Sequence, residues 1–269
     1  MKVLEVIKSR RSVRTFNDTP LFAEDAQKIM DYAEKADNPY GLPITWKLLE
    51  GKTSGLSSPV ILGSDLYIAG KMKKAPYSEE AFGYAFEKIV LYAESLGIGT
   101  TWIAGTMNRE AFEKAMDLAD DEVMPCVSPL GYPGKMSLRE TLMRKGVKAD
   151  SRMPFSELFF DESFDAPLSP EKAGKLAEVL EAVRLAPSAV NKQPWRIVIS
   201  DSNAHFYEKR SKGLASESGW DVQKIDMGIA LAHFDLASKE LGIDTVFEIK
   251  DPGIPTPQDT FYIASYQIK

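Results

Sequence analysis

The stretch "EEAFGYAFEKIVLYAESLGIGTTWIA" (Glu79–Ala104) decides how the rest of the chain is read. Phe82, Phe86, Ile89, Ala93 and Leu96 recur at three- and four-residue steps, the spacing of one helix face. Gly97 stands where a left-handed C-terminal cap would end that helix. The β-branched, aromatic "TTWIA" that follows predicts a strand. The same order recurs in "VQKIDMGIALAHFDLASKELGIDTVFEI" (Val222–Ile249), where Ile225, Ile229, Ala232, Leu236 and Leu241 form the stripe, Gly242 is the cap and "TVFEI" the strand. Both stripes are broad, which predicts buried helices.

Working outward, "TPLFAEDAQKIMDYAEKA" (Thr19–Ala36) aligns with "APLSPEKAGKLAEVLEAV" (Ala166–Val183) at a constant offset of 147. Pro20/Pro167, Leu21/Leu168, Glu24/Glu171, Ala26/Ala173, Lys28/Lys175 and Glu34/Glu181 are identical pairs. Each segment predicts a helix with acidic residues in its first turn, where they suit the dipole. Trp46 in "ITWKLLEG" then meets Trp195 in "QPWRIVIS", each leading a strand-like run. The order helix, loop, Trp, strand, long helix, Leu-Gly-Ile, strand thus occurs twice. This predicts a duplicated α+β unit, residues 1–150 and 151–269, able to pack as a pseudo-dimer. The competing reading is coincidence between amphipathic helices. Residues 131–165 would join the halves, as a linker or as an arm reaching from one half to the other.

Composition narrows the function classes. With 269 residues, 44% hydrophobic and 27% charged, the chain reads as a soluble globular protein. A net charge of -6 argues against a molecule-wide nucleic-acid surface. The acidity is uneven: residues 1–150 hold 20 Lys+Arg against 21 Asp+Glu, and residues 151–269 hold 13 against 18. An anionic ligand is therefore expected on the first half. Cys126 is the only cysteine and there are two histidines, which excludes an intrachain disulfide and argues against a Cys/His metal centre. No apolar run reaches membrane-spanning length, and the N-terminal stretch lacks the apolar core of a signal peptide, so a cytoplasmic location without membrane attachment is expected.

Three stretches can carry chemistry. "KSRRSVRTF" (Lys8–Phe16) puts Arg10, Arg11 and Arg14 around Ser12, a donor set suited to phosphate, or else a solvated basic loop. "APSAVNKQPW" (Ala186–Trp195) places Ser188 and Asn191 in a loop between a helix and a strand, where they could bond a polar ring edge, or simply connect two elements. Trp195 itself reads as core. "GIGTTWIAG" (Gly97–Gly105) has the small residues that let backbone N–H groups approach a flat ligand. No dinucleotide fingerprint, phosphate-loop lysine motif or nucleophile elbow stands out. A phosphate site without an obvious acid, base or nucleophile leaves the chemistry to a cofactor.

Here the residues resemble a family. Arg10-Arg11-Ser12-Val13-Arg14 resembles the N-terminal signature of the flavin-dependent nitroreductases. "PSAVNKQPW" (Pro187–Trp195) resembles their second signature, "AESLGIGTTWIAG" (Ala93–Gly105) the segment bordering the flavin ring, and "VSPLGYPG" (Val127–Gly134) their late strand and turn. The resemblance implies an α+β, nitroreductase-like sandwich with FMN at a subunit interface. It implies that Arg10, Arg11, Ser12 and Arg14 hold the phosphate and ribityl chain. Trp102, Ala104 and Gly105 would face the flavin through backbone groups. Pro187, Ser188, Ala189 and Asn191 would arrive from the other half. A late basic residue on the phosphate is also implied. Arg152 fits it best, ahead of Arg144 and Lys148.

The halves diverge in a complementary way. The first keeps the arginines, but its "NPYGLPITW" (Asn38–Trp46) lacks the Ser and Asn. The second keeps Ser188, Ala189, Asn191 and Gln193, but has no Arg pair near "MPFSELFF" (Met153–Phe160). This resembles a fused branch in which one chain imitates the dimer, with one FMN per chain and no need of a second subunit. The implied activity is an FMN-dependent oxidoreductase that takes electrons from NAD(P)H and passes them to nitro, quinone or similar small acceptors. The alternative is a flavin-binding protein specialised for storage, sensing or degradation of flavin.

Overall fold

Two long helices, one in each of two folded units, organise the chain. A computed structural model describes residues 1–51, 55–211 and 220–269. One unit comprises Met1 and Ser9–Lys148; the other comprises Lys2–Lys8 and Ala149–Lys269. Helix α1 (Val3–Ser9) therefore supplies nearly all its residues to the second unit, although the duplication places the start of the chain in the first repeat.

The first unit continues with α2 (Ala23–Ala33), β1 (Thr45–Glu50), β2 (Leu66–Lys73), α3 (Ser78–Ser95), α4 (Arg109–Ala115), β3 (Glu122–Val123), β4 (Val127–Leu130) and α5 (Leu138–Gly146). β1 runs antiparallel to β2, with Thr45 opposite Lys71 and Glu50 opposite Leu66. The other edge of β2 is shared by β4 and the two-residue β3. α3 is buried on most of its faces, with Phe82 and Phe86 fully inaccessible. Trp46 lies on it, its ring 5.3 Å from Phe86 and 5.5 Å from Phe82. Each such aromatic contributes on the order of 1.5–3 kcal/mol by leaving water.

The second unit contains α6 (Phe155–Leu158), β5 (Phe159–Asp161), α7 (Pro170–Ala173), α8 (Ala177–Arg184), β6 (Trp195–Ser200), β7 (Asn203–Lys209), α9 (Val222–Glu240), β8 (Thr245–Glu248) and β9 (Thr260–Ile268). Its sheet has the order β5-β6-β7-β9-β8, with β5 parallel to β6 and the other pairs antiparallel. The 131–165 segment thus ends as a strand of the second unit's sheet. The α9 face carrying Phe234 meets that sheet at Phe206, with rings 5.4 Å apart, and at Tyr266, 5.1 Å apart. Trp195 is fully buried, as expected of a core residue. α1 docks here through Leu4 and Ile7, which share an apolar groove with Ala177, Ala182 and Leu185. The Glu240 carboxylate accepts from the Val3 N–H at its first turn.

Two details differ from the sequence reading. The 166–183 segment is not one helix: Gly174 adopts φ +55°, and a 3₁₀ turn separates α7 from α8. "TTWIA" forms no continuous strand. Thr100 and Ile103 each make a single bridge, to Ser12 and Val127, and the intervening Thr101 N–H donates to the Ser128 hydroxyl of β4 instead of to a backbone carbonyl. Gly97 and Gly242 do take the left-handed caps, at φ +73° and +67°.

Candidate functional site

In the first unit, the arginine stretch lies against the segment after α3. Ser12 bridges Thr100 in parallel, and Val13 donates its N–H to the Thr100 carbonyl at 2.8 Å. Gly99 permits this approach, because a Cβ there would lie 2.9 Å from the Val13 side chain. Ser12 and Thr100 are therefore held side by side through the backbone.

The Arg10 side chain is buried, and Arg11 and Arg14 are half-buried. The Arg10 side chain is 5% exposed, and its Nε lies 3.9 Å from the Glu87 carboxylate on α3, itself fully buried. The other oxygen of Glu87 accepts from Trp102 Nε1 at 3.0 Å. Trp102 packs edge-on against Phe86, with centroids 4.7 Å apart. One carboxylate thus ties Arg10 to Trp102. Arg11 reaches the buried Glu140 of α5 at 3.3 Å. Burial pushes the Arg14 guanidinium below its ordinary value; the Arg144 charge pushes it the same way, and Glu140 opposes them. Glu140 also faces the Arg14 charge. Among the described residues, the buried Nη1 of Arg10 has no hydrogen-bond partner. A buried guanidinium nitrogen left in this state favours binding an anion.

Ala104 is half-buried and Gly105 exposed, at the start of a turn leading to α4. Arg109 fixes that turn. Its guanidinium donates to the carbonyls of Ala104 at 2.6 Å, Pro125 at 3.1 Å and Met124 at 2.8 Å.

In the second unit, the loop after α8 is strongly shaped. Val190, Asn191 and Gln193 have φ of 44°, 57° and 50°, left-handed values that non-glycine residues, and β-branched valine above all, avoid. Several bonds hold it. The Ala189 N–H lies 3.0 and 3.1 Å from the two Asp226 carboxyl oxygens. The Gln193 N–H donates to the Ser188 hydroxyl at 2.8 Å, and the Gln193 side chain accepts from the Met153 N–H at 2.9 Å. Asn191 Nδ2 donates to the Ser151 carbonyl at 3.1 Å. Pro187, before this loop, is half-buried. Strain kept in place by surrounding structure is typical of binding loops.

Among the sequence candidates, Arg10, Arg11, Ser12, Arg14, Trp102, Ala104 and Gly105 lie in the first unit, where Glu87 links Arg10 to Trp102. Pro187, Ser188, Ala189 and Asn191 come together in the second. Arg152 belongs to the second unit and donates to the carbonyls of Ala149, Ser151 and Leu185. The basic residue beside Arg14 is Arg144, ranked below Arg152 on sequence. Glu87, Glu140, Arg109 and Asp226 were missed. The legible signal was a charged residue inside an apolar helical stripe, which Glu87 and Asp226 both are. Glu140 and Arg109 carry no such mark.

Comparisons with known proteins bear on the family and the fold. The family model described as "Putative TM nitroreductase" matches residues 2–238. An Archaeoglobus fulgidus protein named "Putative NADH dehydrogenase/NAD(P)H nitroreductase" is 30% identical over 148 residues, which span 48% of this chain and 84% of that protein. The crystal structure of a "putative nitroreductase" from Thermotoga maritima MSB8 superposes with a TM-score of 0.64 at 21% identity, covering 100% of this chain and 93% of that one. A nitroreductase family protein from Clostridium novyi NT covers 50% of this chain and 87% of its own, at 25% identity and a TM-score of 0.43.

Proposed function

The chain belongs to the TM nitroreductase family, and from that premise we propose that it is an FMN-dependent oxidoreductase holding one FMN per chain. The observation that carries this reading is the arginine set. Among the described residues, the buried Arg10 Nη1 has no hydrogen-bond partner, Arg14 is burdened by burial and by the Arg144 charge, and Arg10 and Arg11 each face one carboxylate. A dianionic phosphate monoester would supply the missing acceptor, so the residues present fit the phosphate end of FMN. Arg10, Arg11, Ser12 and Arg14 would bind it, with Arg144 adding charge.

The remaining residues would orient the rest of the cofactor. Trp102, fixed by Glu87, and the Ala104–Gly105 turn, fixed by Arg109, would present backbone groups to the ring. The Pro187–Asn191 loop would supply the shaped contact that the first half lacks. When bound, FMN supplies two-electron transfer between a nicotinamide donor and a small acceptor. The relatives' names support NAD(P)H as donor and nitro compounds as acceptors. The protein's own contribution is to bind, orient and offer positive charge near developing negative charge on the ring.

The test is anaerobic mixing of FMN-loaded protein with NADH and with NADPH. Loss of the visible flavin band with at least one donor is expected; persistence of the band with both would sink the reductase reading. Release and quantitation of flavin should give one per chain, and a ratio of two would overturn the single-site reading.

A further inference from the structure

With Gly97 set against Gly242, the two long helices align residue by residue: Gly83 meets Gly228, Ala85 meets Ala230 and Leu96 meets Leu241. In this frame each helix carries a buried acid where the other has alanine. Glu87 falls against Ala232, and Asp226 against Ala81. The acids sit at different helix positions, yet each touches a candidate element retained by its own half. Glu87 reaches Arg10 and Trp102. Asp226 reaches Ala189.

Asp226 is poorly explained by stability alone. It is 2% exposed, and no cation pairs with it among the described residues. Burial pushes its carboxyl well above the usual carboxylate range; the nearby acids Asp221 and Glu208 add to this, and only the Ala189 N–H opposes it. A buried acid without a cation costs folding free energy, and the first half replaces it with alanine. What it does provide is an anchor for the N–H at the head of a loop with three left-handed residues.

We propose that Asp226 is a positioning residue for the cofactor, holding the Ser188–Gln193 loop in its strained shape through the Ala189 N–H. The inference rests on the reading that this loop meets FMN. The role needs an acceptor at Asp226, so the amide of Asp226→Asn should serve and the methyl of Asp226→Ala should not. The loop would meet the ring or the ribityl chain and not the phosphate, so FMN and riboflavin should suffer alike.

The experiment is titration of flavin-free protein with FMN and with riboflavin, following flavin fluorescence, for wild type, Asp226→Ala and Asp226→Asn. Thermal melting of the flavin-free proteins is measured alongside. Asp226→Ala is expected to weaken both ligands about tenfold or more, with a melting temperature unchanged or raised. Asp226→Asn is expected to stay within about threefold of wild type for both. Wild-type affinity in Asp226→Ala overturns the inference, as does a loss confined to FMN. If Asp226→Ala does not fold, a tenfold loss in folded Asp226→Asn overturns the acceptor role. Absence of FMN binding by the wild type overturns the functional reading, and this inference with it.

Discussion

The two long helices do the same structural work with different polar partners. α3 packs its aromatic stripe under one sheet, and α9 packs its own against another. Their buried acids differ in what they hold. Glu87 engages a guanidinium and an indole, both on side chains. Asp226 engages a backbone amide, so the second unit organises the shape of a loop. Under the proposed single-site reading, one half recognises charge and the other presents a rigid contour.

The largest effect should come from breaking the charge side. Charge-assisted bonds to phosphate are worth about 1.5–3 kcal/mol each. Arg10→Ala with Arg11→Ala should therefore weaken FMN by roughly two to four orders of magnitude. Riboflavin, without the phosphate, should lose far less, and equal losses for both would break the division between the units. Equilibrium titration reads both.

A smaller effect should sharpen the shape side. Val190 is exposed and sits at φ 44°. Val190→Gly removes a left-handed β-branched residue, a strain of roughly 1–2 kcal/mol, against a glycine entropy cost of roughly 0.5–1 kcal/mol. The flavin-free protein should melt about 1–3 °C higher. Flavin binding should weaken, because the loop is no longer set before the ligand arrives. A gain in both would show that the strain serves nothing.

The subtlest test uses pH. An acid whose native pKa lies above its unfolded value binds protons more readily when folded, so its contribution to stability falls as pH rises through the native value. Asp226 is such an acid. Flavin-free Asp226→Asn should match wild type near pH 4, where the wild-type carboxyl is protonated, and melt increasingly above it as the pH is raised toward 7. Parallel melting curves across that range would mean that Asp226 is not penalised by burial.

Much of the fold was legible because it depends on periodicity. The apolar steps in Glu79–Leu96 and Val222–Leu241, and the glycine closing each, need only local geometry to be read. β1 and β6 begin at or just before the tryptophans that mark them. "TTWIA" was misread because composition does not say which hydrogen-bond partners a segment will find. Here a serine hydroxyl takes the Thr101 N–H, and the ladder never becomes continuous. The early break in the 166–183 helix turns on Gly174, which propensity alone leaves tolerable in a helix.

By itself the sequence determined the α+β class, the twofold order of elements, the arginine cluster and the polar loop, since each is written in residue types at fixed spacings. Only the tertiary structure decided which groups share a burden. It brought Glu87 to Arg10 across 77 positions of sequence, set Glu140 and Arg144 beside the first arginines, committed Arg152 to carbonyls, and moved α1 into the second unit. The reason is physical. Burial fixes the electrostatic cost of a charge, and burial depends on packing between segments whose separation along the chain carries no such information.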